Sequence, residues 1–406
     1  MQAGAFGPAV QWAIEHQIKV GTYLGAEDFV PVTQAHIMAD TESLGRAGVE
    51  WLERWARLPE RERRMRIPTI TDPRGTDFAA AHKLKQQPWM LELERRAIAA
   101  FEALGVLMTN TCINYQTIMP PVRGEHCAYG DTGVVIYCNG VCGARSNFEG
   151  GPSALSAGLT GRTPRYGYHL DEKRQATLIV HASHTPRQLN EWGALGGIVG
   201  KLAGDYWQVP VVVGLDRVPG SDEMKHFGAA AASYGSLALF HMAGITPEAQ
   251  RLEDVVRPGD ELRTHDVGPA EIGAFQAGIT RGIDAVDLVV FSTPQLSLVE
   301  MQQVAMLLDG RRATIPLLAI TSPQVKPDAD RMGLTARIEA SGGTVLEGMC
   351  FYQSYAREMA EANGWKRLAT NSAKLVNIIG GYGYRPALLS MEQCVDAACN
   401  EGRLSS

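Results

Sequence analysis

The chain has 406 residues, 45% of them hydrophobic and 20% charged, so it is long enough to fold as two or three lobes with ordinary buried cores. Its 38 basic and 44 acidic residues leave a net charge of -6, which offers no basic field to a phosphate backbone and argues against nucleic-acid binding. No basic residue precedes an apolar run at the N-terminus, and seven cysteines form no even disulfide framework, so we expect a cytoplasmic chain with free thiols.

Several elements are predicted in the N-terminal third. Apolar residues at three- and four-residue spacing predict helices over residues 9–17 and 44–56, the second capped by Ser43. Two prolines and a glycine predict a loop over residues 67–75. The apolar run 133–138 predicts a strand.

From residue 177 onward, β-branched runs alternate with helical segments, which predicts parallel sheets covered by helices. The predicted strands are residues 177–181, 209–214, 288–293 and 314–320. The predicted helices are residues 248–256, 296–308, 328–341 and 355–362. Residues 227–245 lack charged side chains, but their polar residues and many alanines favour a buried helix over a membrane span. The segment 291–297 ends a predicted strand and opens a helix, which is where ligands collect in open α/β sheets.

The segments 123–131 and 139–153 concentrate glycines, carboxylates, an imidazole, thiols and a guanidinium, a composition typical of a small-molecule site. The Gly150-Gly-Pro turn predicts the start of a short helix, whose free N–H groups attract anions. Arg145, just upstream, is suited to binding a carboxylate in bidentate fashion. The alternative is that Arg145 bridges to Glu149 or to an aspartate and that the glycines only turn the chain.

Titratable groups elsewhere are further candidates. His36, and His126 beside Glu125, lie in loop-like contexts and are candidate acids or bases, although histidines of this kind are often structural. Lys374 lies in the first turn of a helix that starts at Thr370-Asn-Ser-Ala-Lys. A cation there opposes the helix dipole, so Lys374 is a candidate for holding an anion.

Five of the cysteines are candidate ligands. Cys112 and Cys350 both follow apolar runs at loop mouths, and soft thiolates gathered from several loops are what an iron–sulfur cluster requires. Cys127, Cys138 and Cys142 lack the paired C-x2-C spacing of zinc ribbons. For these three, burial as ordinary core cysteines is the alternative.

Four segments together resemble the large subunit of aconitase X, the hydro-lyase branch of the aconitase superfamily. They are Arg123-Gly-Glu-His, Asn139-Gly-Val-Cys-Gly-Ala-Arg-Ser-Asn-Phe-Glu-Gly-Gly-Pro-Ser-Ala-Leu, residues 230–246 and Thr370-Asn-Ser-Ala-Lys. The resemblance implies an aconitase-like α/β fold of about three lobes, with largely parallel sheets around a central cleft and boundaries near residues 170 and 285. It also implies a small swivel-domain subunit on a separate chain.

The resemblance implies dehydration of a small hydroxy acid, and we expect cis-3-hydroxy-L-proline, converted to pyrroline-2-carboxylate, as the substrate. The alternatives are phosphomevalonate, a cluster-free dehydratase, or a non-catalytic metabolite-binding subunit. Asp72 stands where relatives often have asparagine, which points to a substrate other than the commonest ones. The implied catalytic residues are His36, His126, Glu125 and Ser372, and the implied substrate-binding residues are Asp72, Arg145, Ser146, Asn147, Asn371 and Lys374.

In relatives, three cysteines hold an iron–sulfur cluster whose iron acts as a Lewis acid on the leaving hydroxyl. Cys112 matches the first and Cys350 the last. The middle cysteine lies in a Gly-Cys-Pro-His motif, but the segment here is Ser292-Thr-Pro-Gln, so Thr293 replaces the thiolate and Gln295 the histidine. Three outcomes stay open: a different metal, no metal, or a cluster completed by Cys127, Cys138 or Cys142.

Overall fold

The computed structural model describes residues 1–404, and its first segment carries two small sheets. In chain order it contains α1 (Pro8–Tyr23), β1 (Phe29–Pro31), β2 (Ala35–Ile37), α2 (Thr41–Ala56), α3 (Glu60–Arg63), β3 (Thr69–Thr71), α4 (Pro88–Ala103), α5 (Asn114–Thr117), β4 (Ala128–Tyr129), α6 (Thr132–Gly140), α7 (Gly151–Thr160) and β5 (Arg162–Pro164). Strands β3, β2 and β4 form a parallel sheet in that order, and β1 pairs with β5 in antiparallel fashion. The central strand β2 carries His36, which is completely buried.

The second segment is a four-stranded parallel sheet with helices packed against it. Its elements are β6 (Leu178–Ala182), α8 (Leu189–Ala203), β7 (Pro210–Val213), α9 (Ser221–Gly235), β8 (His241–Met242), β9 (Arg263–Val267) and α10 (Pro269–Thr280). The strand order is β8-β7-β6-β9, and every pairing is parallel. Glycines let α8 and α9 approach closely, since a Cβ on Gly196 would lie 2.1 Å from the carbonyl oxygen of Phe227.

The third segment is a five-stranded parallel sheet that supplies most of the candidate site. Its elements are β10 (Leu288–Leu296), α11 (Leu298–Leu307), β11 (Leu317–Thr321), α12 (Lys326–Arg331), α13 (Leu334–Ala340), β12 (Thr344–Glu347), α14 (Ala356–Asn363), β13 (Arg367–Thr370), α15 (Ala373–Ile379), β14 (Arg385–Leu388) and α16 (Met391–Cys399). The strand order is β12-β11-β10-β13-β14. One buried hydrophobic cluster joins α6 of the first segment to this sheet through Val134, Val135, Val289 and Phe291. Short 3-10 turns occur at Gly167–His169, Asp171–Lys173, Leu252–Asp254, Phe351–Gln353 and Gly380–Tyr382.

The predicted α/β class with largely parallel sheets is confirmed, because the two larger sheets are parallel throughout. Ser297 caps α11, which begins at Leu298 directly after β10, as predicted for residues 291–297. No helix in the described part of the chain combines the length and the apolar character needed to cross a membrane.

The predicted strand at residues 133–138 is wrong, because these residues lie inside helix α6. The Asp131 side chain caps this helix by accepting a hydrogen bond from the backbone N–H of Val134 at 2.9 Å. Every residue from Gly133 to Gly140 is buried, so the helix has no polar face. A helix that is apolar all round cannot be distinguished from a buried strand by periodicity.

Five other local predictions also need correction. Helix α9 ends at Gly235, where Ser236 adopts a left-handed conformation, so residues 227–245 are not one helix. Residues 248–256 contain only a 3-10 turn, and residues 67–75 include strand β3. Gly333, with φ of 70°, divides residues 328–341 into α12 and α13. Asp40 rather than Ser43 caps α2, because its carboxylate accepts the backbone N–H of Ser43.

Candidate active site

Two buried thiols lie together where loops of the first and third segments meet. Cys112 precedes α5, Cys350 precedes a 3-10 turn, and their exposed fractions are 5% and 2%. A hydrogen bond between the two thiols, together with burial, raises the pKa of Cys112. Burial alone would raise the pKa of Cys350 as well, but hydrogen bonds from Cys112 and Thr293 outweigh it and lower that pKa. Cys350 is therefore the more readily ionised thiol of the two.

The end of β10 contacts both thiols. The Thr293 hydroxyl lies 3.1 Å from the sulfur of Cys350, at a residue with φ of 62°. The backbone N–H of Gln295 donates to the sulfur of Cys112 at 3.4 Å. The Gln295 side chain accepts from the Cys112 N–H at 3.3 Å and donates to the carbonyls of Asn110 and Met349 at 3.1 and 3.2 Å.

A buried ion pair adjoins the thiols. The Lys374 ammonium lies 3.2 Å from a carboxylate oxygen of Asp131, and both side chains are at most 5% exposed. Burial would lower the pKa of Lys374, but Asp131, Cys112 and Cys350 outweigh it and raise that pKa. Burial likewise opposes ionisation of Asp131, yet Lys374 and the Val134 N–H lower its pKa below the usual range. Both groups are therefore charged at neutral pH.

His36 and Asp72 complete the cluster, and both side chains are fully buried. The His36 Nε2 lies 2.9 Å from the Thr111 carbonyl and therefore carries the proton, which leaves Nδ1 as an unprotonated acceptor. Burial lowers the pKa of His36. Burial and the nearby Asp131 charge raise the pKa of Asp72. Among residues 1–404, neither His36 Nδ1 nor the Asp72 Oδ1 has a hydrogen-bond partner.

The start of α15 fixes the position of Lys374. The Ser372 hydroxyl accepts the Leu375 N–H at 3.0 Å and donates to the carbonyl oxygen of Thr293. Ser372 therefore links α15 to β10, which is a positioning contact. Asn371 is 1% exposed, and its side-chain nitrogen has no partner within the described residues.

Arg145 belongs to a different group of side chains. Its guanidinium donates to the His169 carbonyl at 3.0 Å and forms an ion pair with Asp171. The Nδ1 atoms of His126 and His169 lie 2.9 Å apart, and burial together with the nearby Arg145 charge lowers the pKa of His126. The structure thus shows the alternative in which Arg145 bridges to an aspartate.

Three further candidates make contacts typical of structural roles. Both polar atoms of the Asn147 side chain are used, since it donates to the Tyr166 carbonyl and accepts from Tyr168 and Tyr206. The Ser146 hydroxyl donates to a backbone carbonyl and accepts a backbone N–H. Glu125 accepts from Thr33, Gln34 and the Val122 N–H. These contacts leave the three side chains outside the thiol cluster.

The proposed substitute thiols form a group of their own. Burial and a hydrogen bond with Cys127 raise the pKa of Cys138, and burial raises the pKa of Cys142 to about 12. Tyr129 lies against the same group. The interactions of Cys127, Cys138 and Cys142 are thus with one another and with Tyr129, which matches ordinary core cysteines. All seven cysteines are free thiols.

The donor set does not fit the iron–sulfur cluster that the family resemblance implies. Two thiols and the Thr293 hydroxyl meet at the position where three thiolates are expected. A neutral hydroxyl is a hard and weak ligand, whereas such clusters require soft thiolates. Within residues 1–404, no three or more His, Cys, Asp and Glu side chains are grouped so that they could hold a metal ion. Completion by Cys127, Cys138 or Cys142 is not supported by their positions.

Sequence reasoning missed two members of the cluster. Asp131 lies within the segment 123–131, but the sequence does not predict it as a site residue, because its partner Lys374 lies 243 residues away. Burial and the charges of Asp131 and Cys350 raise the pKa of Tyr352, which places its phenol in the same cluster. The proximity of Tyr352 to Cys350 in the sequence was a usable signal.

The site therefore combines a fixed cation, a neutral imidazole, a thiol pair and two carboxyl groups. The pKa of one carboxyl group, Asp131, is lowered, and that of the other, Asp72, is raised. An ammonium such as that of Lys374 binds a carboxylate, and a neutral imidazole accepts a proton. These are the functions needed to hold a small acid and to move a proton on its carbon skeleton.

Comparisons with known proteins identify the family. Models of the first, second and third domains of aconitase X match residues 1–172, 176–276 and 286–400. The phosphomevalonate dehydratase large subunit of Methanothermobacter thermautotrophicus is 34% identical over 382 residues, covering 94% of this chain and 92% of that protein. The cis-3-hydroxy-L-proline dehydratase of Pseudomonas aeruginosa is 30% identical over 405 residues, covering 98% of this chain and 68% of that protein.

Structural similarity extends over nearly the whole chain. The crystal structure of Thermococcus kodakaraensis aconitase X in its holo form superposes with a TM-score of 0.87 at 30% identity, covering 98% of this chain and 97% of that chain. Both the predicted family and the predicted fold class are thereby confirmed. The chain belongs to the aconitase X family of hydro-lyases.

Proposed function

We propose that this chain is the large subunit of a dehydratase that removes water from a small hydroxy acid, with cis-3-hydroxy-L-proline as the leading substrate and pyrroline-2-carboxylate as the final product. The observation that carries the choice of substrate is the Asp72 carboxyl group. It is fully buried, retains a free oxygen and lies beside the Lys374 and Asp131 pair.

The charges of the site suit a zwitterion. Cis-3-hydroxy-L-proline carries a negative carboxylate and a positive ring nitrogen. Lys374 offers a cation for the carboxylate, and Asp72 offers an oxygen for the ring nitrogen. A bound ammonium would stabilise the ionised form of Asp72 and reverse the rise in its pKa, because an opposite charge favours the charged state.

Proton transfer can be assigned to His36. Elimination of water moves the proton from the carbon next to the carboxylate to a base, while the hydroxyl leaves from the neighbouring carbon. The unprotonated His36 Nδ1 is a buried acceptor without a partner in residues 1–404, and burial keeps the ring neutral. The hydrogen bond between Nε2 and the Thr111 carbonyl fixes the tautomer that leaves Nδ1 free.

The enamine product of this elimination needs no further group from the protein. It tautomerises to the more stable cyclic imine, pyrroline-2-carboxylate. His126 and Glu125, which lie with Arg145 outside the thiol cluster, have no assigned step in this scheme.

Phosphomevalonate is the second candidate, and sequence identity favours it. Phosphomevalonate dehydratase large subunits reach 34% identity, whereas the hydroxyproline dehydratases reach 29% and 30%. This substrate carries a phosphate in addition to a carboxylate and so needs more cations. Lys225 is held between Asp222 and Glu300, and Arg145 is paired with Asp171. Lys374 shares its charge with Asp131 and is the remaining cation beside the thiols. The charge balance therefore supports the amino acid.

A small second subunit is the proposed partner. The relatives named large subunits match this chain over nearly their whole length, whereas about two thirds of each hydroxyproline dehydratase is matched. The unmatched third of those dehydratases is of a size suited to a swivel domain, and the large-subunit names of the other relatives support a small partner chain. Seven free thiols support a cytoplasmic site of action.

The test is an assay of the chain together with its small subunit on both compounds. We expect an unsaturated product from cis-3-hydroxy-L-proline. The D72N variant should raise KM for this substrate about tenfold or more, because it removes one charge-assisted hydrogen bond to the ring nitrogen. D77N is the matched control, since Asp77 is also buried but caps the backbone N–H groups of Ala79 and Glu347. Turnover of neither compound would overturn the proposal, and turnover of phosphomevalonate alone would replace the substrate.

A further inference from the structure

The two cysteine loops are tied together by one uncharged side chain. The Gln295 amide oxygen accepts the Cys112 N–H, and its nitrogen donates to the carbonyls of Asn110 and Met349. All three bonds are buried, and they connect the loop before Cys112 with the loop before Cys350. Gln295 is itself 0% exposed and lies in β10, so it is held rigidly.

A second set of contacts fixes Cys350 to the same strand. The Ser292 hydroxyl accepts the Phe351 N–H at 3.3 Å, and the Thr293 hydroxyl lies 3.1 Å from the Cys350 sulfur. Lys225, which is fully buried, donates to the Gln295 carbonyl at 3.2 Å and supports the strand from behind.

A metal cluster bound by cysteines from separate loops would connect those same loops through sulfur–iron bonds. In this chain the third thiolate is replaced by a hydroxyl, and the loops are already joined by Gln295. We infer that this chain binds no three-thiolate iron–sulfur cluster and that the Gln295 side chain instead holds the Cys112 and Cys350 loops together. The inference concerns the site of the proposed function, but its readouts require no turnover and so stand or fall independently of the substrate.

The first experiment measures cluster binding directly. The wild-type chain, T293C and the isosteric control T293V are purified anaerobically, treated with iron and sulfide, and assayed for bound iron, sulfide and visible absorption. We expect wild type and T293V to hold no stoichiometric cluster and T293C to acquire one. A cluster in the wild-type chain would overturn the inference, and so would failure of T293C to bind one, since the third donor would then not be what excludes the cluster.

The second experiment measures how the loops are held. Amide hydrogen exchange at residues 110–113 and 349–353 is compared in wild type, Q295A and Q324A. Gln324 is the matched control because its amide donates to the Thr109 carbonyl at 2.9 Å without joining the two cysteine loops. We expect exchange in both loops to be about tenfold faster or more in Q295A, as for loss of buried hydrogen bonds, and unchanged at residues 349–353 in Q324A.

Treatment with a chelator distinguishes loops held by Gln295 from loops held by a metal. Wild-type chain treated with an iron chelator should show unchanged exchange in both loops. Faster exchange after chelation would show that a metal holds the loops and would overturn the inference. Unchanged exchange in Q295A would overturn it as well.

Discussion

Removal of the Lys374 ammonium should destabilise the fold strongly at neutral pH and weakly in acid. The change K374M keeps the length of the side chain and leaves the Asp131 carboxylate buried without its cation. The two groups are 3.2 Å apart and at most 5% exposed, so water cannot replace the lost partner.

Two estimates of the magnitude agree. At an effective dielectric constant of about 20, unit charges 3.2 Å apart attract by about 5 kcal/mol. Breaking a buried pair by removing one partner typically costs about 3–5 kcal/mol. We therefore expect K374M to lower the free energy of unfolding by about 3–5 kcal/mol at neutral pH and above. The exposed pair of Lys326 and Asp330 is the control, and K326M should cost less than about 1 kcal/mol.

The pH dependence follows from the sign of the pKa shift. In the wild-type chain Lys374 lowers the pKa of Asp131, so the pair stabilises the fold above the pKa of an unfolded aspartate and loses that contribution in acid. In K374M the same burial raises the pKa of Asp131, so the destabilisation should disappear as the pH falls through the raised value.

Urea denaturation of wild type, K374M, D131N and the double variant over a range of pH is the assay. The double variant should recover most of the lost stability, because it leaves no unpaired charge, yet it should stay inactive if Lys374 binds the substrate carboxylate. A cost for K374M below about 1 kcal/mol at neutral pH would refute the reasoning, because the pair would then behave like an exposed one.

Two further predictions concern the surrounding fold. Burial raises the pKa of Glu149 to about 7, so the free energy of unfolding of the wild type should fall by about 3 kcal/mol as the pH rises from the unfolded pKa of glutamate through that value. E149Q should remove this slope when unfolding is measured against pH. An unchanged slope would contradict the buried position assigned to Glu149. G196A should lower the free energy of unfolding by about 1–3 kcal/mol or more, because the new methyl group meets the Phe227 carbonyl between α8 and α9. G273A is the control and should have no such effect, since the space around Gly273 is open. Equal melting temperatures for the two variants would show that the helices separate without cost.

Local patterns predicted the α/β class after residue 177 and four of the nine strands found there. Short β-branched runs and amphipathic helices alternate there, and the strands β6, β7, β10 and β11 appear where they were expected. The failure at residues 133–138 has a physical cause, since α6 is buried on every side and presents no alternation of polar and apolar residues. The Asp131 side chain caps the start of α6, and a search for periodicity does not detect a cap.

At the candidate site, the sequence predicted several of the residues, but only the tertiary structure shows which groups they contact. Motif comparison with the aconitase X family identified Cys112, Cys350 and Lys374, because residue types and their order along the chain are properties of the sequence. Which groups they meet was decided by packing: Asp131 pairs with Lys374, and Gln295 reaches Cys112 across 183 residues. Arg145 was expected at the same cavity but pairs with Asp171. Residue types limit the possible chemistry, whereas distances between charges depend on how the sheets pack, and those distances set the pKa values and the contacts of the site.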